Sequence, residues 1–365
     1  MIKILIINTV RFKLNGISAV IKNYYQAMDK QDFQIDFLAI DKPSDEYCYF
    51  FKENYLKCFV FYKKNIVKYF CEIVALCRRE KYNIVHVHGN SANMAIELLA
   101  VALGGVKIRI AHSHNTATMH PFMHKLLWPI FSGLCTIRLA CGEDAGRWLY
   151  REKKFKILNN GIKTEQYLFS GQIRKLMREE LDIKQDEILL GHVGNFIEQK
   201  NHSFLIDIFR EVYRTNPKFK LLLISDGMLM PVIKEKVHSS GLDDAVIFLG
   251  KTMNVSAYFQ AMDLFLLPSL YEGLPLVLVE AQAAGLTCVV SDTVAKEADL
   301  TGDCIYLPIN TVTKWMEVIK KQEYRKIDRK ERSNRNVLRI KEKGYDVEQN
   351  ANDLRQIYVN ICEER

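Results

Sequence analysis

The chain has 365 residues, of which 48% are hydrophobic and 26% charged, enough for about two domains that each bury a core. The formal net charge of +8 suits an anionic ligand or an anionic membrane surface and does not by itself imply nucleic acid. Nine cysteines without a CxxC pair predict reduced thiols in a cytosolic protein. The sequence contains no apolar run of about 20 residues, so a membrane-spanning helix is not expected.

Two successive arrays of strands and helices are predicted. Near-continuous apolar runs indicate buried parallel strands, and helix-period stretches lie between them. In the first half the predicted strands are 2–8, 33–40, 83–89, 106–114, 137–142 and 155–162. In the second half they are 188–194, 219–225, 245–250, 264–269, 287–292 and 304–308.

This alternation predicts an α/β protein with two doubly wound domains, because parallel strands need crossover helices. The first domain is assigned to residues 1–165 and the second to 166–345, with a polar seam around 163–186. The Lys- and Arg-rich segment 324–343 is predicted to be an exposed helix, and the sequence allows a final helix, about 347–365, to pack back on the first domain. Since open parallel sheets bind ligands at the carboxyl ends of their strands, a ligand cleft is expected there.

The loops of the first domain offer a glycine and paired histidines. Gly16 precedes a helix, where it either lets a ligand approach the backbone closely or forms an ordinary turn. His86 with His88, and His112 with His114, alternate along strands, so each pair shares a face. Two such pairs suggest a zinc site, but no carboxylate or thiol accompanies them at ligand spacing. His86 and His112 are therefore interpreted as satisfied structural histidines, and His114, nearest the strand end, as a functional candidate.

In the second domain, HVGNFIEQKNHSF follows the first strand. Gly194 allows a tight turn, and Lys200 lies near the start of the next helix, with Asn201 as its predicted N-cap. A lysine beside a helix N-terminus suits phosphate. The alternative is a solvated lysine beside a cap.

The stretch SLYEGLPLVLVEAQAAG carries two acids. Glu272 lies in a loop before a helix whose first turn contains Pro275. At the start of that helix, the backbone amides of Leu276 and Val277 have no hydrogen-bond acceptor within the helix and can donate to a ligand. Glu280 lies one turn after Leu276 on the same face. Carboxylates accept hydrogen bonds from hydroxyls, and amides suit a diphosphate. The order of Glu272, the two amides and Glu280 therefore predicts contacts to a sugar, its diphosphate and a ribose. A capping acid plus a buried acid is the alternative, but a buried Glu is costly without a partner.

These residues resemble a retaining GT-B glycosyltransferase of the large family four group, glycosyl transferases group 1. The resemblance is carried by E-x7-E from Glu272 to Glu280, by HVGNFIEQKNH as the phosphate loop, and by NNGI at 159–162, whereas NGISAVI and HSHN match more loosely. It implies the GT-B fold, with two doubly wound Rossmann-like domains facing across a cleft. The first would bind the acceptor and the second the nucleotide-sugar, and QKNH is typical of capsule and exopolysaccharide enzymes.

The resemblance also implies roles for the acids and the backbone amides of the stretch SLYEGLPLVLVEAQAAG. Glu272 would contact hydroxyls of the donor sugar. Leu276 and Val277 would offer their amides to the diphosphate, and Glu280 would accept a hydrogen bond from the ribose. Same-face attack is implied, with the leaving diphosphate helping to deprotonate the acceptor, so Glu272 is not assigned as a nucleophile.

The remaining implied roles concern the loops. Lys200 would neutralise the diphosphate, His114 would lie near the reacting sugar, and Gly16 would let the first loop approach. The phosphate loop includes Gly194 and Asn195, and Asn195 stands where the family usually carries Arg, which removes a fork of donors. No metal and no other cofactor are implied, since positive side chains and helix ends replace them.

The acceptor side is predicted from two segments, 52–83 and 119–135, that mix Lys and Arg with aromatic residues. The second of these places Trp128 and Phe131 near Lys125. Such segments lie on anionic membranes in other proteins, which suits a polyprenyl-diphosphate-linked acceptor and a peripheral position on the inner face of the plasma membrane. Core helices with snorkelling lysines are an equal alternative.

The favoured function is transfer of a hexose from a UDP-sugar to a glycan or lipid-linked acceptor in surface polysaccharide synthesis. A nucleotide-sugar 2-epimerase also binds UDP-sugar between two such domains, but E-x7-E with its GLP turn argues against it. A degenerate, non-catalytic partner subunit is favoured by Asn195 alone. Lys200, Glu272 and Glu280 argue against that alternative.

Overall fold

Two parallel sheets organise the protein. The computed structural model describes residues 1–116, 118 and 120–363. One unit contains Met1–Gly161 together with the chain from Val347 onward, and the other contains Ile162–Asp346. Each unit has its own sheet and its own apolar core.

The first unit alternates strands and helices along the chain. Its strands are β1 (Ile2–Asn8), β2 (Phe33–Ala39), β3 (Cys58–Val60), β4 (Ile84–Gly89), β5 (Ile108–Ser113), β6 (Ile137–Ala140) and β7 (Lys156–Ile157). Its helices are α1 (Gly16–Ala27), α2 (Asp45–Glu53), α3 (Ile66–Glu80), α4 (Ala95–Leu103), α5 (Pro121–Leu134), α6 (Glu143–Tyr150) and, after the second unit, α14 (Val347–Glu363), which packs against α1.

The sheet of the first unit is parallel throughout, in the order β3-β2-β1-β4-β5-β6-β7. In the central strand β1, Ile4, Leu5 and Ile7 are completely buried, because helices cover both faces of a doubly wound sheet and leave no polar side. The predicted α/β architecture is confirmed here. The short strand β3 was not predicted, since it has only three residues and each is half-buried.

The second unit repeats this plan. Its strands are β8 (Ile188–Val193), β9 (Phe219–Ile224), β10 (Val246–Gly250), β11 (Leu264–Leu267), β12 (Thr287–Ser291) and β13 (Cys304–Leu307). Its α-helices are α7 (Gly171–Glu180), α8 (His202–Thr215), α9 (Met230–Ser239), α10 (Val255–Ala261), α11 (Leu276–Ala283), α12 (Val312–Lys321) and α13 (Arg329–Glu342). The order β10-β9-β8-β11-β12-β13 is again all parallel, and each of these strands was predicted.

The polar segment around 163–186 is an integral part of the second unit rather than a seam. Its helix α7 carries Arg174 and Arg178, which both pair with Asp263 at 2.5 and 3.2 Å. The side chain of Asp263 is only 8% exposed, and it also accepts a hydrogen bond from the Leu189 amide at 2.8 Å. The polar segment 163–186 is therefore held to the second unit by ion pairs with the nearly buried carboxylate of Asp263.

The helix predicted in the segment 324–343 is present as α13 and exposes one face, but the prediction was wrong for its other face. One face of α13 is buried, with Ser333 donating to the Ala283 carbonyl at 2.7 Å. At the start of α13, Arg329 donates to the carbonyls of Phe259 and Met262, both at 2.6 Å. Charge density in the sequence does not reveal this burial, because the partners are main-chain carbonyls.

The strand orders place a switch point in each sheet, between β1 and β4 and between β8 and β11. The connections on either side of such a point run in opposite directions and leave a crevice at the carboxyl ends of the strands. The loops after β1, β4 and β5 in the first unit, and those after β8 and β11 in the second, contain candidate site residues. Among the described residues, no helix has the length and apolar character needed to span a bilayer.

Gly227, in the loop after β9, provides a test of the packing beside the second crevice. A Cβ at Gly227 would lie 2.6 Å from both the amide nitrogen and the carbonyl oxygen of Phe196, and a main-chain neighbour cannot move aside as a flexible side chain can. We expect Gly227→Ala to lower the free energy of unfolding by about 1–3 kcal/mol, measured by urea denaturation.

The control is Gly171→Ala at the start of α7, where an added Cβ meets nothing within 4 Å. That variant should leave the denaturation midpoint unchanged or raise it slightly. Equal midpoints for the wild-type protein and both variants would show that the approach of the Gly227 loop to Phe196 does not constrain the fold.

Candidate active site

The loop after β8 curls back over its own strand. It continues through a 3-10 helix at Glu198–Lys200 into α8. A Cβ added at Gly194 would lie 3.1 Å from Cδ of Lys200 and 3.0 Å from Nε2 of His192. Gly194 is not among the residues with positive φ, so the glycine is favoured by the passage of the lysine side chain rather than by a tight turn.

Lys200 and Glu272 form an ion pair that joins the two predicted loops. Their Nζ and Oε1 atoms are 2.5 Å apart, and their side chains are only 15% and 12% exposed. Ser269 donates its hydroxyl to the same carboxylate oxygen at 3.2 Å. Because burying either charge alone would be costly, the two side chains hold each other in place. This pairing was not predicted from the sequence.

Main-chain hydrogen bonds reinforce the contact between the two loops. The amide of Leu270 donates to the Gln199 carbonyl at 2.8 Å, and the Gln199 side chain donates to the Tyr271 carbonyl at 2.9 Å. Asn201 occupies the N-cap position of α8, but its side chain makes no capping bond and donates to the Pro268 carbonyl at 3.2 Å. The predicted capping role of Asn201 was therefore wrong.

The start of α11 is an open helix terminus. Pro275 is its N-cap residue, no side chain caps it, and its first turn contains no acid. The amides of Leu276 and Val277 have no acceptor within the helix, and the positive end of the helix dipole lies beside them. Glu272 precedes this terminus in the same loop, so an ion-paired carboxylate and two amides occur in one short stretch.

Glu280 has a partner that sequence reasoning missed. The Tyr167 hydroxyl, at the end of the 3-10 helix Thr164–Tyr167, hydrogen-bonds to the Glu280 side chain. Burial raises the pKa of Glu280 to about 7, and the Tyr167 bond opposes part of that rise. The residue as a whole is only half-buried. A carboxyl group that is surrounded by protein but held by one tyrosine can still accept another hydrogen bond.

Asn195, at the position of the usual arginine, is fixed by the next loop. Its Oδ1 accepts a hydrogen bond from the Ser225 hydroxyl at 2.8 Å. The nearby cation Lys251 pairs with Asp226 at 2.7 Å. Asn195 thus joins the loops after β8 and β9 instead of presenting charge.

In the first unit, four histidines stack where β4 and β5 end. Nδ1 of His88 and Nε2 of His114 are 2.9 Å apart. The ring centroids of His86 and His88 are 4.0 Å apart, and those of His112 and His114 are 4.2 Å apart. Burial lowers the pKa of His86 to about 3 and that of His114 to about 4, so both rings are neutral at pH 7.

The expectation that His86 and His112 are satisfied holds only in part. Nδ1 of His86 is 2.6 Å from the Tyr358 hydroxyl, but its Nε2 has no hydrogen-bond partner among the described residues. Nitrogens of His86, His88 and His112 lie within 4.8 Å of one another. However, the rings of His86 and His112 are nearly parallel, at 9°. Since a metal lies in the plane of each ligating ring, stacked rings are not preformed for one ion.

Gly16 begins α1, and the preceding Asn15 caps that helix by accepting from the Ser18 amide at 3.0 Å. A Cβ at Gly16 would meet nothing within 4 Å, and its φ is not positive. The fold itself therefore does not require glycine at this position. Close approach of a ligand remains as a reason for it.

Comparison with known proteins identifies the family. The family model described as glycosyl transferases group 1 matches residues 187–321. The putative glycosyltransferase EpsF of Bacillus subtilis (strain 168) is 32% identical over 96% of this chain and 94% of its own length. The Escherichia coli UDP-Gal:alpha-D-GlcNAc-diphosphoundecaprenol alpha-1,3-galactosyltransferase is 26% identical over 76% of each chain.

Solved structures show the same fold. Anabaena Alr3699/HepE, crystallised with UDP-glucose, superposes with a TM-score of 0.79 at 15% identity, covering 99% of this chain and 100% of its own. WaaG, a glycosyltransferase involved in lipopolysaccharide biosynthesis, gives 0.70 at 14% identity, covering 96% and 99%. With its two Rossmann-like units and these relatives, the chain belongs to the glycosyl transferases group 1 family and is a glycosyltransferase with the GT-B fold.

Proposed function

We propose that the protein transfers a hexose, with retention of configuration, from a UDP-sugar to a glycan or polyprenyl-diphosphate-linked acceptor. The nucleotide-sugar is assigned to the second unit and the acceptor to the first. The Lys200–Glu272 pair beside the open terminus of α11 is the observation that carries the donor assignment. The printed names of two similar proteins, one acting on UDP-Gal and a diphosphoundecaprenol substrate and one crystallised with UDP-glucose, support the choice.

The diphosphate is the part of the donor that this stretch suits best. A lysine ammonium has three donors, of which Glu272 takes one, and the amides of Leu276 and Val277 supply two more. Positive charge at these positions stabilises the anionic leaving group as the sugar departs, which is the largest expected catalytic term. We therefore expect transfer to proceed without a metal ion or other cofactor.

Glu272 is suited to holding the donor sugar rather than attacking it. Its carboxylate is tied to Lys200 and Ser269, which lowers its nucleophilicity and fixes its direction. The leaving diphosphate is then the base that takes the acceptor proton, and the acceptor oxygen attacks the face from which the diphosphate leaves. We assign His114, neutral and bonded to His88, to the neighbourhood of the reacting sugar, and Gly194 and Asn195 to the loop over the diphosphate.

Nucleotide binding tests the role of Lys200. We expect UDP, and not GDP or ADP, to raise the melting temperature of the protein, because a ligand that binds only the folded state stabilises it. Lys200→Ala should weaken UDP binding about 10- to 100-fold, the value of a hydrogen bond to a charged group. Titration calorimetry measures the affinity.

Two controls accompany that variant. Lys200→Ala/Glu272→Gln removes both charges and avoids leaving a buried carboxylate unpaired, and Lys218→Ala removes a lysine exposed on the surface. Wild-type affinity for UDP in the double variant would rule out the lysine contact. Absence of a shift with any nucleotide would overturn the donor assignment.

The raised pKa of Glu280 predicts a pH dependence of donor binding. Its pKa of about 7 means that the carboxylate, the form that accepts hydrogen bonds from a ribose diol, predominates above pH 7. The Kd for UDP should therefore fall about tenfold per pH unit as pH rises toward 7 and then level off. Glu280→Gln, which keeps an acceptor for Tyr167, should bind weakly and show no such inflection; an unchanged inflection in that variant would assign the titration to another group.

The substitution Gly16→Ala tests whether glycine is needed at this position for ligand binding or for folding. Because an added Cβ meets open space, Gly16→Ala should leave the free energy of unfolding unchanged or raise it by up to about 1 kcal/mol. If the donor approaches the backbone here, the same substitution should lower turnover with a UDP-sugar. Wild-type turnover in a stably folded Gly16→Ala protein would remove Gly16 from the site.

A further inference from the structure

An apolar groove lies on the first unit among α3, α4 and α5. Its volume is about 310 Å³, and its lining is entirely aliphatic or aromatic, including Val67, Phe70, Leu99, Leu127 and Ile130. The spacing on each helix explains the lining. Leu127 and Ile130 lie one turn apart on α5, as Val67 and Phe70 do on α3, so apolar stripes of the three helices meet along one surface.

The apolar surface continues beyond the groove. Val67 is 69% exposed, and on α5 Phe122 and Leu126 are 77% and 59% exposed. Leu126 lies one turn before Ile130 and Phe122 one turn before Leu126, which places all three on one side of α5. Contiguous exposure of large apolar side chains marks an interaction surface rather than ordinary solvent-facing structure.

Cations surround this surface, and acids are neutralised or absent. Lys64 and Lys125 are both exposed. The α5 sequence contains no Asp or Glu. Glu97 of α4 is fully buried, and Lys63 at 2.6 Å and Tyr69 at 3.0 Å satisfy one of its oxygens. On α3, Glu72 pairs with Lys68 at 3.8 Å and Glu80 pairs with Arg79 at 2.9 Å. The exposed charge that remains beside the groove, on Lys64 and Lys125, is therefore positive.

We propose that this surface of α3, α4 and α5, termed the α3–α5 face, docks on an anionic phospholipid bilayer. Val67, Phe122 and Leu126 enter the boundary between headgroups and acyl chains, and Lys64 and Lys125 meet the lipid phosphates. Apolar side chains bordered by lysines are the arrangement that binds in the plane of an anionic interface. The proposal does not depend on which donor the protein uses.

A bilayer fits the α3–α5 face better than a second copy of the chain does. In a symmetric dimer the same patch meets itself, so the lysines that border one groove would face those bordering the other. Like charges brought together in this way oppose association. An anionic membrane instead supplies opposite charge to every lysine at once.

Vesicle co-sedimentation of the full chain tests the proposal. We expect binding to phosphatidylcholine vesicles containing about one third phosphatidylglycerol, weak binding to pure phosphatidylcholine, and loss of binding as salt rises because the lipid–lysine attraction is screened. Lys64→Gln and Lys125→Gln should each lower the partition coefficient about fivefold. Val67→Glu and Leu126→Glu should each lower it about tenfold or more, since an inserted side chain is lost.

The matched control is Val232→Glu on α9, where the valine is 63% exposed but lies in the second unit. It should bind vesicles like the wild-type protein. Circular dichroism checks that every variant is folded, and light scattering measures the mass in solution. Equal sedimentation of Val67→Glu, Leu126→Glu and wild type would overturn the proposal, as would a dimer that Val67→Glu dissociates.

Discussion

The candidate site of the second unit depends on one interaction, the nearly buried ion pair between Lys200 and Glu272. Neither charge is stable in its surroundings without the other, so the loops after β8 and β11 can adopt only the spacing at which the two side chains meet. The surrounding residues fit that requirement. Gly194 leaves room for the lysine stem, and Ser269 holds the carboxylate oxygen.

This constraint has a consequence for binding as well as for structure. A loop lysine that was free in solvent would lose much rotational freedom on meeting a phosphate. Lys200 has already lost it through Glu272, so a ligand need not order it again. The same pair fixes the Glu272 side chain in the loop before α11, where the unpaired amides of Leu276 and Val277 favour negative charge.

Most strands could be predicted because a parallel strand that is buried on both faces has a nearly continuous run of apolar residues. The strand Cys58–Val60 could not, because it is short and half-buried. Part of the burial of α13 comes from Ser333 and Arg329, which donate to main-chain carbonyls, and a pattern of residue types does not show which carbonyls are near.

The candidate residues of the site could be found because each follows a strand at a predictable edge of the sheet. Their partners could not. Lys200 and Glu272 are 72 residues apart in sequence, and Tyr167 reaches Glu280 from a segment that had been interpreted as a polar seam. The position of a residue in a loop at the sheet edge can thus be predicted from the sequence. Which side chains pair across two loops cannot, because it depends on the three-dimensional structure.

The stacked histidines of the first unit make its folding a proton-linked equilibrium. His86 and His114 have folded pKa values of about 3 and 4, below the unfolded value of about 6.5, so the unfolded chain binds more protons between those values. The contribution is complete above pH 6.5 and is lost as pH falls toward 4, at up to about 1.4 kcal/mol per pH unit for each ring. Acidification thus favours the opened chain, whose histidines take up protons, over the folded strand ends that present His114.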